Sequence, residues 1–237
     1  MKFVLDTHTH TIASGHAYST ISEMVQEAKN QNLELLAITE HATAMPGTCG
    51  EFYFHNFRVI RRVQQGVELL MGAELNIIDY NGTVDMDEYG LSNLDIAIAS
   101  LHLPCIKAGT MEENTNAYLG AMKNKAVRII GHADDSRFPV DYPRLVKAAK
   151  EHKVALEINN SSLNPKGFRM NSRENVLTLL ELCKEYQVPV TLGSDAHVAD
   201  DVGNFCYIKE LLDLAQFPEE LILNTSVERF KTYLGLK

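Results

Sequence analysis

Short apolar runs alternate with longer amphipathic stretches along this chain. Residues 3–6, 35–39, 67–73, 94–100, 127–130, 154–158 and 188–192 are compact and apolar, and each reads as a strand. Residues 20–31, 52–63, 111–124, 142–152 and 171–186 carry the wider hydrophobic spacing of helices. Residues 79–93 are polar and irregular, and the chain beyond 192 reads as mostly helical, with a short strand expected at 221–224. Strands alternating with helices imply βα units and a parallel sheet. Seven units fit a barrel, although an open sheet has the same local pattern. No internal repeat, low-complexity tract or Pro/Gly-rich linker interrupts the alternation, so residues 1–237 are expected to form a single domain.

The length of 237 residues suits one α/β barrel, and a hydrophobic content of 45% supplies a core. The formal charge of −9 argues against long nucleic acid as a partner. The nearest thing to a basic stripe is Arg58, Arg61 and Arg62, whose helical spacing reads as a solvated helix face. Cys49, Cys105, Cys183 and Cys206 form no C-x-x-C pair and read as reduced thiols, which suggests a cytoplasmic protein. The opening residues meet Asp6 too soon for a signal peptide, and no apolar run approaches the ~18 residues of a membrane span.

The placement of the histidines is the informative feature. The first strand ends in Asp6-Thr7-His8-Thr9-His10, and alternation puts Asp6, His8 and His10 on one face. Later strands end in Glu40-His41, Gly72-Ala73-Glu74, Leu101-His102, Gly131-His132 and Ser194-Asp195-Ala196-His197. Six of the seven expected strands therefore finish on His, Asp or Glu, and in a parallel barrel those ends converge at the C-terminal mouth. His16 follows in the first loop. Imidazole with carboxylate suits zinc, iron or manganese. His55 and His152 fall in expected helices and read as structural.

These motifs, with Leu156-Glu157-Ile158-Asn159-Asn160-Ser161-Ser162, resemble the PHP family, named for polymerase and histidinol phosphatase, and within it the YcdX-type probable phosphatases. The likeness runs from Leu5 nearly to the end of the chain; after His132, Ala133-Asp134-Asp135 lacks an expected proline. The resemblance implies a distorted seven-stranded (β/α)7 TIM-like barrel holding three divalent ions, zinc before manganese or iron. It implies His8, His10, Glu74 and Asp195 on the first ion, Glu74, His102 and His132 on the second, and His16, His41 and His197 on the third. Glu74, Asp195 and His197 would then form the catalytic set.

Three such ions with two ligand carboxylates and a hydroxide leave a charge of roughly +3, since neutral imidazole adds none. A strongly cationic pocket favours an anion with several oxygens. The expected activity is therefore hydrolysis of a small phosphate monoester by a metal-activated hydroxide. Arg137, Lys166 and Arg169 lie in loops near the mouth and are candidate phosphate contacts. Asp6 has two readings, an orienting partner for a ligand imidazole or a strand-end hydrogen bond. Asp134 and Asp135 lie close by, without a clear acid–base role. The rivals are an amidohydrolase-type metallohydrolase, a nuclease acting on short substrates and a non-catalytic metal-binding module. A homo-oligomer is compatible with the sequence.

Overall fold

In the computed structural model, which describes residues 1–236, the apolar runs are strands because both of their faces are covered. All seven residues of β2 (Leu35–His41) are buried, as are those of β1 (Leu5–Asp6), β5 (Ile96–Ser100), β7 (Ala155–Asn159) and β8 (Val190–Gly193). Between them lie β3 (Val63–Gln64), β4 (Val67–Asn76) and β6 (Val127–Ile130). The parallel strands run in the order β1-β2-β4-β5-β6-β7-β8, and β3 adds an antiparallel edge to the start of β4. Register fixes the site: His41 lies beside Glu74, Asn76 beside Ser100, and Asn159 beside Gly193.

The helices begin where polar side chains can satisfy their free N–H groups. Thr20 with Glu23 and Thr110 with Glu113 form capping boxes at α1 (Ile21–Asn30) and, after the short α2 (Glu51–His55) and α3 (Glu88–Ser92), at α4 (Met111–Ala121). Asp141 caps α5 (Tyr142–His152); α6 (Ser172–Tyr186), α7 (Cys206–Leu214) and α8 (Val227–Leu234) complete the set. One apolar cluster joins the helices to the outside of the sheet. A smaller one fills the barrel's interior, where Leu5, Leu35, Leu70, Ile96, Ile98 and Ile129 meet Phe230 and Leu234 of α8. The last helix thus plugs the N-terminal end and leaves the other end open.

Closure between β8 and β1 is incomplete as a ladder. A parallel bridge joins Thr9 to Ala196. Below it, the fully buried Asn224 amide stands in for missing strand bonds. Its Oδ1 accepts from Leu192 N–H at 2.7 Å, and its Nδ2 donates to Leu5 O at 2.9 Å and Leu192 O at 2.8 Å.

The expected strand at 221–224 is two 3-10 turns, Glu219–Leu221 and Leu223–Thr225, with one bridge from Ile222 to Val190. The expected helix at 52–63 stops at His55, and a 3-10 turn over Phe57–Val59 leads into β3. Arg58 and Arg61 are exposed but share no helix face, and Arg62 turns inward to Asp95, with Nε 2.5 Å from Oδ2. Residues 79–93 contain α3. Among the described residues, no helix is long and apolar enough to cross a membrane.

Candidate metal centre

Glu74 stands at the centre of the open mouth. Its Oε1 lies 2.8 Å from His132 Nε2 and 3.2 Å from His102 Nε2. Its Oε2 lies 2.8 Å from His41 Nδ1, 3.4 Å from His8 Nε2 and 3.6 Å from His10 Nε2. Asp195 Oδ1 faces the same group, 3.4 Å from His10 Nε2 and 3.8 Å from His8 Nε2. The exposed His16 completes the set, its ring 4.9 Å from both His41 and His197. The nine residues expected from sequence are therefore brought together. Three sets of donor atoms fall within 4.8 Å of one another: His8, His10 and Glu74; His41, Glu74 and His102; His10, His41 and His197. The first agrees with the expected partition, whereas the others share His41 and His10 differently.

The donor set fits a cation. His8 Nδ1 is 2.6 Å from Glu157 Oε1, and His10 Nδ1 is 3.1 Å from Ser14 Oγ. Ser14 Oγ spends its own proton on Glu40 at 2.6 Å, so it accepts from His10. With both Nδ1 protons directed outward, the two Nε2 atoms face each other at 3.0 Å, and a positive charge has to lie between them, either a shared proton or a metal ion. His41 Nδ1 and His102 Nε2 are buried and make no hydrogen bond despite their closeness to Glu74.

Electrostatics agree. Burial lowers the His8 pKa, but Glu157, Glu74 and Asp195 outweigh it and hold the group well above the ordinary imidazole value. His10 is pushed well below that value by burial and by His41 and His197, so its lone pair is free at neutral pH. Burial raises Glu74, but His102, His8 and His41 bring it well below the usual carboxylate range. Asp195 is likewise brought low against its burial, chiefly by His8 and His10. Two of these residues occupy the left-handed region, His132 at φ 25° and Asp195 at φ 56°. Such strain costs on the order of 1–3 kcal/mol per residue and collects at functional sites.

The orienting carboxylate is not Asp6. Asp6 accepts the backbone N–H groups of His8, Ser194 and Gly203 and ties the strand ends together, while burial raises its pKa to about 6. Glu157, in the middle of β7, sits behind His8 instead. Sequence reasoning passed over it as a functional residue, although a lone acid inside an apolar strand was the available signal. Asn76 plays the corresponding part for His102, with Oδ1 2.7 Å from Nδ1. All seven parallel strands therefore serve the site.

The mouth opens into a cavity of about 570 Å³ walled by His16, His41, His102, His132 and His197 on one side and by Leu103, Phe138 and Phe168 on the other. Arg169 enters it with Nη1 and Nη2 each 3.3 Å from Asp195 Oδ2. Arg137 lines it too, held by the Asp135 carboxylate and stacked 5.0 Å from the Phe168 ring centroid. Lys166 is exposed and is not among the lining side chains. Asp135 is spoken for by Arg137, and Asp134 is buried and does not line the cavity. His55 packs its ring 4.7 Å from Tyr89, and His152 ends α5, both outside the cluster. A second cavity of about 570 Å³ lies at the opposite end of the barrel, where its Arg62 and Asp95 pair with each other and it gathers no imidazole.

A nearly closed parallel barrel whose strand ends gather imidazoles and carboxylates at one mouth defines a class of barrel proteins built to hold metal ions there. The PHP domain model matches residues 6–235, and the chain belongs to the PHP domain family. It is 46% identical over 237 residues to a probable phosphatase of Clostridium novyi (strain NT), covering 100% of this chain and 96% of that one. A probable phosphatase of Caldicellulosiruptor saccharolyticus is 46% identical over 236 residues, covering 100% and 98%. The histidinol phosphate phosphatase of Lactococcus lactis subsp. lactis Il1403, solved with zinc, L-histidinol and phosphate, superposes with a TM-score of 0.62 at 19% identity, covering 92% of this chain and 95% of that chain.

Proposed function

We propose that this chain, acting as a single domain over residues 1–237, is a metal-dependent phosphatase for a small phosphate monoester. The observation that carries this reading is the convergence of seven imidazoles on two carboxylates, Glu74 and Asp195, at the floor of a cavity that also receives Arg169. The names of the relatives at 46% identity point the same way. His8, His10, Glu74 and Asp195 would hold one divalent ion, Glu74, His102 and His132 a second, and His16, His41 and His197 a third, with zinc the first choice. When bound, such ions would supply Lewis acidity, drawing charge from phosphate oxygens and acidifying a water toward neutral pH.

The chain's own groups have separable tasks. Glu74 would serve two ion sites at once, since its two oxygens face different imidazoles. Asp195 brings a second negative charge to the Nε2 atoms of His8 and His10. Arg169 presents a fixed guanidinium to a phosphate oxygen, its geometry set by Asn159, Ser162 and Asp195. Arg137 closes the rim. Glu157 and Arg169 enter the charge balance with opposite signs, so the cationic character expected from the ligands alone is unchanged.

The test joins two measurements. Elemental analysis after mild dialysis should find close to three transition-metal ions per chain, and p-nitrophenyl phosphate should be turned over and inhibited by inorganic phosphate. Metal without turnover on a panel of phosphate monoesters would leave a metal-binding module. One ion or fewer in protein never exposed to chelator would reject the trinuclear site.

A further inference from the structure

The environment of Glu157 determines more than the position of one ring. Its side chain is buried in β7 and receives three donors: His8 Nδ1 on Oε1 at 2.6 Å, and His132 N–H at 2.8 Å with Asn159 Nδ2 at 3.2 Å on Oε2. An ionised carboxylate only accepts, so the His8 proton facing it must sit on Nδ1. The other nitrogen, Nε2, is then the one turned to Glu74, Asp195 and His10.

The neighbours are shaped around this contact. A Cβ on Gly193 would lie 2.0 Å from Glu157 Oε1 and 2.7 Å from His8 Cβ. Glycine at 193 is what allows the carboxylate to reach the ring. The other two ligand imidazoles with a side-chain partner behind them lack a direct carboxylate. His10 meets Ser14, which relays to Glu40, and His102 meets the neutral amide of Asn76, held in turn by Asp85.

We propose that Glu157 is a positioning residue that locks the proton of His8 on Nδ1 and so dedicates Nε2 to a metal ion, making the site that contains His8 the tightest of the cluster. The proposal rests on the metal-site reading above, but its central observable, the protonated nitrogen, exists with or without metal.

Glu157→Gln tests it with nearly unchanged shape. The amide has one acceptor oxygen for three donors. His132 N–H and Asn159 Nδ2 claim that oxygen, which turns the NH₂ toward His8 Nδ1. That nitrogen must then accept, and the ring proton moves to Nε2, where it blocks a ligand bond. The probes are long-range ¹H–¹⁵N spectra of histidine-labelled protein, with His8 assigned by its loss in His8→Asn, and zinc competition against a chromogenic chelator.

The wild type should show a protonated His8 Nδ1 in both metal-free and zinc-loaded protein. E157Q should show a bare Nδ1, and its tightest zinc should weaken by about 10–100-fold while the remaining zinc is little changed. Glu157→Asp, which keeps the charge but draws the carboxylate back from His8 Nδ1, should weaken the same zinc and decides the matter if E157Q fails to fold by circular dichroism. A wild-type His8 with a bare Nδ1 overturns the proposal, as does E157Q or E157D with wild-type zinc affinity. Wild-type protein that takes up no zinc, yet carries the proton on Nδ1, would sink the metal-site reading and leave the lock intact.

Discussion

Replacing Asn224 with Ala should cost the protein more stability than the size of the side chain suggests. Asn224 is fully buried where β8 and β1 fail to pair directly. Alanine removes the acceptor for Leu192 N–H and the donor to Leu5 O, while Leu192 O keeps Thr7 Oγ1 at 3.1 Å. Two backbone groups are left buried and unpaired. At about 1–3 kcal/mol each, the expected loss is about 2–6 kcal/mol. Urea unfolding followed by circular dichroism in excess chelator measures it free of any metal contribution. The m-value should stay constant, because the same surface is exposed on unfolding. A loss below about 1 kcal/mol would mean that water or a backbone shift satisfies the seam, and that the amide does not close the barrel.

Other consequences are equally direct. Glu74→Gln should lower phosphate-ester turnover by at least ~100-fold and release metal, since one amide oxygen cannot serve imidazole sites on both sides; elemental analysis and steady-state kinetics read it. Arg169→Ala should weaken inhibition by inorganic phosphate by about 10–100-fold, the value of a charge-assisted hydrogen bond, with wild-type inhibition removing Arg169 from the phosphate site. In chelated protein the urea midpoint should fall as pH drops from 7 to 5. Burial, reinforced by neighbouring imidazoles, lowers the pKa values of His10, His16 and His102, so the unfolded chain protonates first and stability present above 6.5 is lost below it. The raised His8 opposes this, its contribution being present below 6.5 and lost as pH rises through its folded value, and so do Asp6 and Asp134, which burial raises to about 6 and about 7 so that the folded chain takes up their protons first. A midpoint that rises on acidification would show that His8, Asp6 and Asp134 together outweigh the three lowered histidines.

The strands and the convergence of histidines and carboxylates were legible because each left a strong local mark. An apolar run ending on His, Glu or Asp announces both a strand and the mouth it points to, as at Glu40-His41 and Gly131-His132. Glu157 was not legible as a functional residue because it lies one turn of the pleat below the strand's end, where its role depends on Gly193 making room from the next strand. The positive φ of His132 and Asp195 is a tertiary outcome that neither residue type advertises. The overextended helix at 52–63 has the right apolar spacing, but Gln65 and Gly66, at φ 52° and 87°, turn β3 back onto β4 and draw the chain out of the helix. Lys166 shows the limit of proximity in sequence: three residues from Arg169, it points to solvent.

The first and last parallel strands meet at the histidine–carboxylate cluster, with contacts such as Thr7 to Leu192 spanning 185 residues of chain. His8 and His10 are made early on the ribosome, whereas Asp195 and His197 emerge only after four-fifths of the polypeptide. A nascent chain therefore holds His8, His10 and Glu74 long before Asp195, the second carboxylate of the cluster, exists. A translation product truncated before Asp195 would lack one carboxylate and one imidazole of the cluster.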